Sequence, residues 1–193
     1  MPVADTSWCH ELPAHLQTAT GLSIDGTTEF LDQLQDPRIT VIRQSTPWPG
    51  KTAMCNAGLA TISTSGYVLQ LDVDEFWTPS QLLQLSTLLD GRSEVAARFA
   101  CRYFLGNLTK KLYQLNETWT WARLFKFFPG NKFSSHEPPV LQQGPAISVQ
   151  ETKSLGLIFD HYGYCTTSQV EFKTHYYGVS NLHQQWAKFN QEA

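Results

Sequence analysis

Three carboxylates fall within four residues in the segment 66–79, GYVLQLDVDEFWTP, where an apolar run gives way to Asp72, Asp74 and Glu75. Side chains two apart in an extended chain stand about 6–7 Å apart on one side. Asp72 and Asp74 are therefore expected to share a face, with Val73 turned to the core. Two hard oxygen donors with coordination positions to spare suit Mg²⁺ or Mn²⁺ held jointly with phosphate oxygens, not an all-protein cage. In an open α/β sheet the ligand crevice lies beyond the carboxyl ends of the strands, which is where such a pair would sit. The competing reading is that acidic residues after a strand are solvated caps for the helix that follows.

Other residue types in the chain could join that chemistry. Glu137 stands in SSHEPP (134–139), where two prolines stiffen the chain after the carboxylate; an ordinary surface turn is the alternative. A neutral imidazole can complete a divalent site, so His136 and His161 are candidates, with structural roles equally open to them. Arg123 suits phosphate or a site carboxylate bidentately, or it points outward from a strand. Lys51 and Asn56 fall near the start of a helix facing the crevice, and a helix N-terminus with a lysine favours phosphate. Asn56 could instead bond to a neighbouring strand or loop. Trp77, Trp119, Trp121, Tyr162 and Tyr164 offer a stacking surface for a sugar, or pack in the core as large aromatics usually do.

The elements that must position these groups follow from local pattern. Residues 1–20 show no clear period and read as an irregular or weakly helical lead-in. After Asp25-Gly26, residues 27–35 place Phe30, Leu31 and Leu34 at helical spacing, with Asp25 or Thr27 as N-cap. The β-branched run 38–43 follows Asp36-Pro37 and predicts a strand. The alanine-rich stretch 51–63 predicts a helix with Met54, Leu59 and Ile62 as its stripe. A strand over 66–73 and a helix over 79–89, with Pro79 in its first turn, complete a strand, helix, strand, helix order. That order implies right-handed crossovers and a largely parallel sheet. Beyond Gly91 the period changes to two over 95–103, and 118–128 is similar, so antiparallel or mixed pairing is expected there. One or two helices close the chain over 169–189.

With 193 residues, 41% hydrophobic and 16% charged, one globular domain is expected. A net charge of −3 with no clustered basic stripe argues against nucleic acid as a partner. No apolar run reaches the roughly 20 residues of a membrane span, and the N-terminus lacks a signal-peptide layout, so no transmembrane segment and a cytoplasmic location are expected. Cys9, Cys55, Cys101 and Cys165 are too widely spaced for a zinc knuckle or a compact disulfide framework and read as reduced, mostly buried thiols. Asn107 and Asn116 open glycosylation-type triplets, which carry no meaning without a secretory signal.

Lys51-Thr-Ala-Met-Cys-Asn56-Ala-Gly58, followed by Gly66-Tyr-Val-Leu-Gln-Leu-Asp72-Val-Asp74-Glu75, resembles the core of family 2 glycosyltransferases. Ser23-Ile-Asp25-Gly26-Thr27 is similar to the end of the family's Asp-Gly-Ser-Thr-Asp-Gly-Thr segment. Arg123-Leu-Phe-Lys126, His136-Glu137 and His161-Tyr-Gly-Tyr164 resemble elements of a bacterial branch that includes lipopolysaccharide-core glycosyltransferases. The resemblance implies an α/β fold of GT-A-like (Rossmann-like) type, a mixed, mainly parallel sheet flanked by helices. It also implies a nucleotide-diphosphate sugar donor, a glycan, lipid-linked or peptide acceptor, a divalent metal (Mn²⁺ or Mg²⁺), and inversion by direct displacement. Placement at the inner face of the membrane is compatible with that branch.

On this resemblance Asp74 would bind the metal, with Asp72 at the ribose or reaching the metal through water, and His161 as a further ligand. Asp25, Lys51, Asn56, Arg123 and His136 would contact substrate. Inversion needs a carboxylate to accept the acceptor's proton; Glu137 is the first candidate and Glu75 the second. Members of the family open with a base-cradling strand and a second strand entering the Asp-Gly-Ser-Thr segment. Residues 11–21 read as neither, and Thr20 replaces that segment's first Asp. The expectation is a single domain over 1–193 shortened by one βαβ unit, about 30 residues or more. Two other readings stay open: a non-catalytic carbohydrate- or partner-binding domain, and a metal-dependent phosphoesterase using Asp72, Asp74, His136 and His161.

Overall fold

Local pattern and capping set most of the elements. The computed structural model describes residues 1–4, 6, 15, 17–109, 120–178 and 180–191. Strand β1 (Pro2–Ala4) comes first, then helix α1 (Thr27–Gln33), strand β2 (Thr40–Ile42) and helix α2 (Lys51–Leu59). Strands β3 (Gly66–Leu69) and β4 (Glu75–Phe76) flank the acidic segment. Helix α3 (Pro79–Leu85) starts where the Thr78 side chain accepts from the Gln81 N–H and Gln81 bonds back to the Thr78 N–H, a reciprocal cap that satisfies two otherwise orphaned donors. The long strands β5 (Ala96–Leu105) and β6 (Thr120–Phe127) follow, then the short β7 (Ser135–His136), β8 (Pro139–Val140) and β9 (Ala146–Ile147). Helix α4 (Val149–Ser154), strand β10 (Ile158–Tyr164) and helices α5 (Thr167–Tyr177) and α6 (Leu182–Gln191) end the described chain.

The main sheet has the order β3-β6-β5-β10-β4, with β9 also paired to β5. This is a mixed sheet flanked by helices, the expected fold class. Its parallel share is smaller than the strand and helix order suggested: β10 and β9 run parallel to β5, while β3–β6, β5–β6 and β10–β4 are antiparallel. The reason is that β2 does not join this sheet. It pairs in parallel with β1, which also corrects the expectation of an irregular or weakly helical lead-in, since Pro2–Ala4 is a strand. Three residues in register with a partner some 40 positions away leave no local period to read.

Strand β5 is buried almost throughout, with only Arg98 exposed and Arg102 and Leu105 half-buried, because both of its faces are covered. On one face Phe99, Leu124 and Phe159 pack with Leu85 and Leu89. On the other, Phe125, Phe127 and Phe133 pack with Leu59 of α2. Cys55, Cys101 and Cys165 are free thiols, and burial pushes Cys55 up to about 11 and Cys101 up to about 12, so both stay protonated and unreactive. Among the described residues no helix is long and apolar enough to cross a membrane. Cys9, the triplet at Asn116, Trp119 and most of residues 1–16 lie outside the described residues.

Candidate active site

The acidic segment is not the continuation of a strand. β3 ends at Leu69, and the chain then turns, with the Glu75 N–H donating to the Asp72 carbonyl at 3.1 Å. Val73, expected in the core, is 97% exposed at the tip of that turn. Asp72 and Asp74 are therefore presented by a turn and are held by different partners.

Arg123, on the interior strand β6 and 2% exposed, organises the first group. Its Nε donates to both carboxylate oxygens of Glu75 at 3.0 Å, its Nη1 to Gln70 Oε1 at 2.5 Å and its Nη2 to Asp72 Oδ2 at 3.0 Å. Nη2 also reaches Glu75 Oε1. Gln70 closes the group by donating to Asp72 Oδ1 at 3.0 Å. Burial pushes the Glu75 carboxyl up against the pull of Arg123. For Arg123, burial is outweighed by Asp72 and Glu75, which hold the guanidinium above its ordinary value. A polar residue interrupting the run VLQL was the one sequence sign of Gln70.

Asp74 belongs to a second group. Its backbone carbonyl accepts from the Tyr162 N–H at 2.8 Å, which ties the turn to β10. His161 Nε2 lies 3.5 Å from Asp74 Oδ1, and Lys173 Nζ of α5 lies 3.2 Å from Oδ2. Burial alone would raise the Asp74 carboxyl, but the His161 hydrogen bond and the Lys173 charge hold it well below the usual carboxylate range. His161 packs against the Tyr103 ring at 4.5 Å between centroids.

A third group lines a cleft of about 340 Å³ formed by Lys51, Thr52, Ser134, Ser135, His136, Glu137 and Tyr176. Lys51 begins α2 and donates to Glu137 Oε1 at 2.7 Å. Glu137 sits in the turn between the antiparallel β7 and β8, where the Ser135 hydroxyl donates to the Pro138 carbonyl at 2.7 Å. His136, the last residue of β7, joins cleft and acidic segment: its Nε2 is 3.9 Å from Asp72 Oδ1. Burial holds the His136 imidazole below its ordinary value. The Nδ1 atoms of His136 and His161 are buried without a hydrogen-bond partner among the described residues.

Two expected site residues serve other ends. Asn56 Nδ2 donates to the Phe133 carbonyl at 3.0 Å while the Phe133 N–H donates to Asn56 Oδ1 at 2.7 Å. The amide thus stitches α2 to the segment leading into β7. Its removal strands two partly buried backbone groups, so Asn56→Ala should cost about 1–3 kcal/mol in a urea titration and leave nucleotide affinity of the folded protein unchanged. Asp25 accepts from the Thr27 N–H at 3.0 Å, a local turn ahead of α1 whose N-cap is Gly26. Of the aromatics, Trp77 and Trp121 pack against the core, Tyr162 stacks on Phe104 at 4.3 Å, and Tyr164 lies under Lys173 Nζ at 4.5 Å.

The donor set decides whether a divalent ion suits this site. Among the described residues no three His, Cys, Asp or Glu side chains converge, so Asp72, Asp74 and His161 do not form a closed cage. Mg²⁺ asks for less, one or two carboxylates with phosphate and water oxygens supplying the rest. Asp74, held ionised by His161 and Lys173, is a carboxylate of the kind that requirement names.

Residues 21–147, more than half of the chain, match the family model described as glycosyl transferase family 2. No curated protein and no solved structure gives a match.

Proposed function

The chain belongs to glycosyl transferase family 2, and from that premise we propose that it moves a sugar from a nucleotide-diphosphate donor to an acceptor hydroxyl with inversion at the anomeric carbon. The observation that carries the reading is the placement of Glu137, Lys51 and His136 in one cleft that opens beside Asp72. Asp74, with Asp72, would hold a divalent ion, which when bound would stabilise the charge gathering on the departing diphosphate.

The chain's own residues divide the remaining work. Lys51, at the start of α2, offers its ammonium to a phosphate oxygen or to Glu137. Glu137 accepts the acceptor's proton as the acceptor oxygen attacks. Glu75 is removed from that task, because Arg123 holds both of its carboxylate oxygens and its side chain is 0% exposed. Arg123 is likewise spent on carboxylates, so its part is to hold the turn. Tyr176 lines the same cleft with its ring under the Lys51 ammonium, at 5.3 Å from the centroid. A glycan or lipid-linked acceptor fits an open cleft lined by hydroxyls.

Calorimetric titration with UDP and GDP, with and without Mn²⁺, tests the reading. Nucleotide binding should tighten with Mn²⁺, and Asp74→Asn should weaken it at least about tenfold, the loss of a charged contact to the ion. Binding of saccharide that ignores EDTA, with no nucleotide bound, would instead mark a non-catalytic carbohydrate-binding domain.

A further inference from the structure

Lys173 is carried by a helix 99 residues from Asp74 in sequence, yet its ammonium is the cation nearest that carboxylate, at 3.2 Å from Oδ2. The opposite oxygen faces His161 Nε2 at 3.5 Å. Both sides of Asp74 are thus engaged by the chain itself. The contact is partly sheltered, with the two side chains 16% and 15% exposed, so solvent screens it less than a surface pair.

The surroundings are shaped for this ammonium. Its Nζ lies 4.5 Å from the centroid of the Tyr164 ring, a cation–π contact. Gly163 leaves the space it fills: a Cβ there would stand 2.8 Å from Lys173 Nζ and 2.8 Å from the Tyr103 hydroxyl. At the neighbouring carboxylates a single guanidinium, that of Arg123, pairs with both Asp72 and Glu75 and offsets part of their negative charge. A lone divalent ion approaching Asp74 therefore meets an ammonium already at the carboxylate, whose like charge opposes it. An ion arriving with a diphosphate is in a different position, because its phosphate oxygens can take the ammonium that Asp74 releases.

We infer that Lys173 is a positioning residue of the donor site, which keeps Asp74 from binding a metal ion alone and yields it when ion and nucleotide diphosphate arrive together. This rests on the donor-site reading given above. The test is Mn²⁺ binding to the nucleotide-free protein, followed by electron paramagnetic resonance, for the wild type, Lys173→Met and Lys173→Gln. Thermal melting by circular dichroism confirms that each variant is folded, and the shorter glutamine serves if methionine disturbs α5. Both variants should bind Mn²⁺ at least about tenfold more tightly than the wild type, the scale of one charged contact. Adding UDP or GDP should tighten Mn²⁺ more in the wild type than in either variant. Equal Mn²⁺ affinity in wild type and folded variants would overturn the inference. The two readings fail separately: a wild type that binds no nucleotide with or without Mn²⁺ sinks the donor-site reading, while the comparison with Mn²⁺ alone still decides the role of Lys173. Placing Asp74→Asn in the Lys173→Met background should abolish the gain, and a gain that survives there would also overturn the inference.

Discussion

Replacing Arg123 with methionine should cost about 3–5 kcal/mol of folding stability, measured by urea unfolding, because it leaves a buried carboxylate without its partner. The reason lies in what the guanidinium does at 2% exposure. It satisfies both oxygens of Glu75, whose side chain is fully buried, and reaches Gln70 and Asp72 as well. Methionine fills the stem's volume but donates nothing. Glu75 must then be protonated or drag water into the sheet, and the turn carrying Asp72 and Asp74 loses its anchor on β6. A second variant separates the charge from the packing. Replacing the pair by apolar groups, Arg123→Met with Glu75→Leu, should recover part of the loss, since a buried ion pair exchanged for apolar packing is often close to neutral. A single Arg123→Met variant within about 1 kcal/mol of wild type would mean that the pair is as weak as a surface ion pair, contrary to its geometry.

What could be read from the sequence divides along the same line between local and distant contacts. Helix α2 begins at Lys51 as expected, α3 at Pro79, and the period-two stretch after Gly91 is the strand β5, because each of these is set by residues within a few positions of one another. The three carboxylates of the acidic segment stood out in the sequence, but their geometry did not. Strand period predicts Val73 inward, but the chain turns between Asp72 and Glu75, and the Gln70 and Asp72 side chains meet Arg123, 53 and 51 residues away. Arg123 itself could be named but not assigned, since bidentate pairing with phosphate and with a carboxylate look alike in a sequence. Asn56 is a similar case: an amide near a helix start suits a ligand or a neighbouring loop alike, and only the fold brings the Phe133 backbone to it. Lys173 carried no sign at all, because one lysine on a polar helix has no neighbours in sequence that distinguish it from a solvated one.

The turnover rate should fall by about 10²–10⁴ in Glu137→Gln, the span that general-base catalysis contributes, while nucleotide binding is retained. Both halves of that expectation follow from where the carboxylate stands. Its side chain is 50% exposed and its ion pair with Lys51 lies at the cleft wall, so the amide should change stability by no more than about 1 kcal/mol, as for exposed pairs. Glutamine keeps the shape of the group and can still meet Lys51 through its carbonyl oxygen, but it cannot take up a proton at neutral pH. On the proposed reading the donor is held through Asp72, Asp74 and Lys51, and the amide leaves Lys51 able to meet a phosphate oxygen. The expected pattern is thus a lowered kcat with nearly unchanged nucleotide affinity, the signature of an interaction made in the transition state. Glu75→Gln provides the contrast, since its carboxylate is locked to Arg123 and its loss should appear in the urea midpoint. If Glu137→Gln turned over at the wild-type rate while Glu75→Gln lost turnover without losing stability, the assignment of the base would have to be reversed.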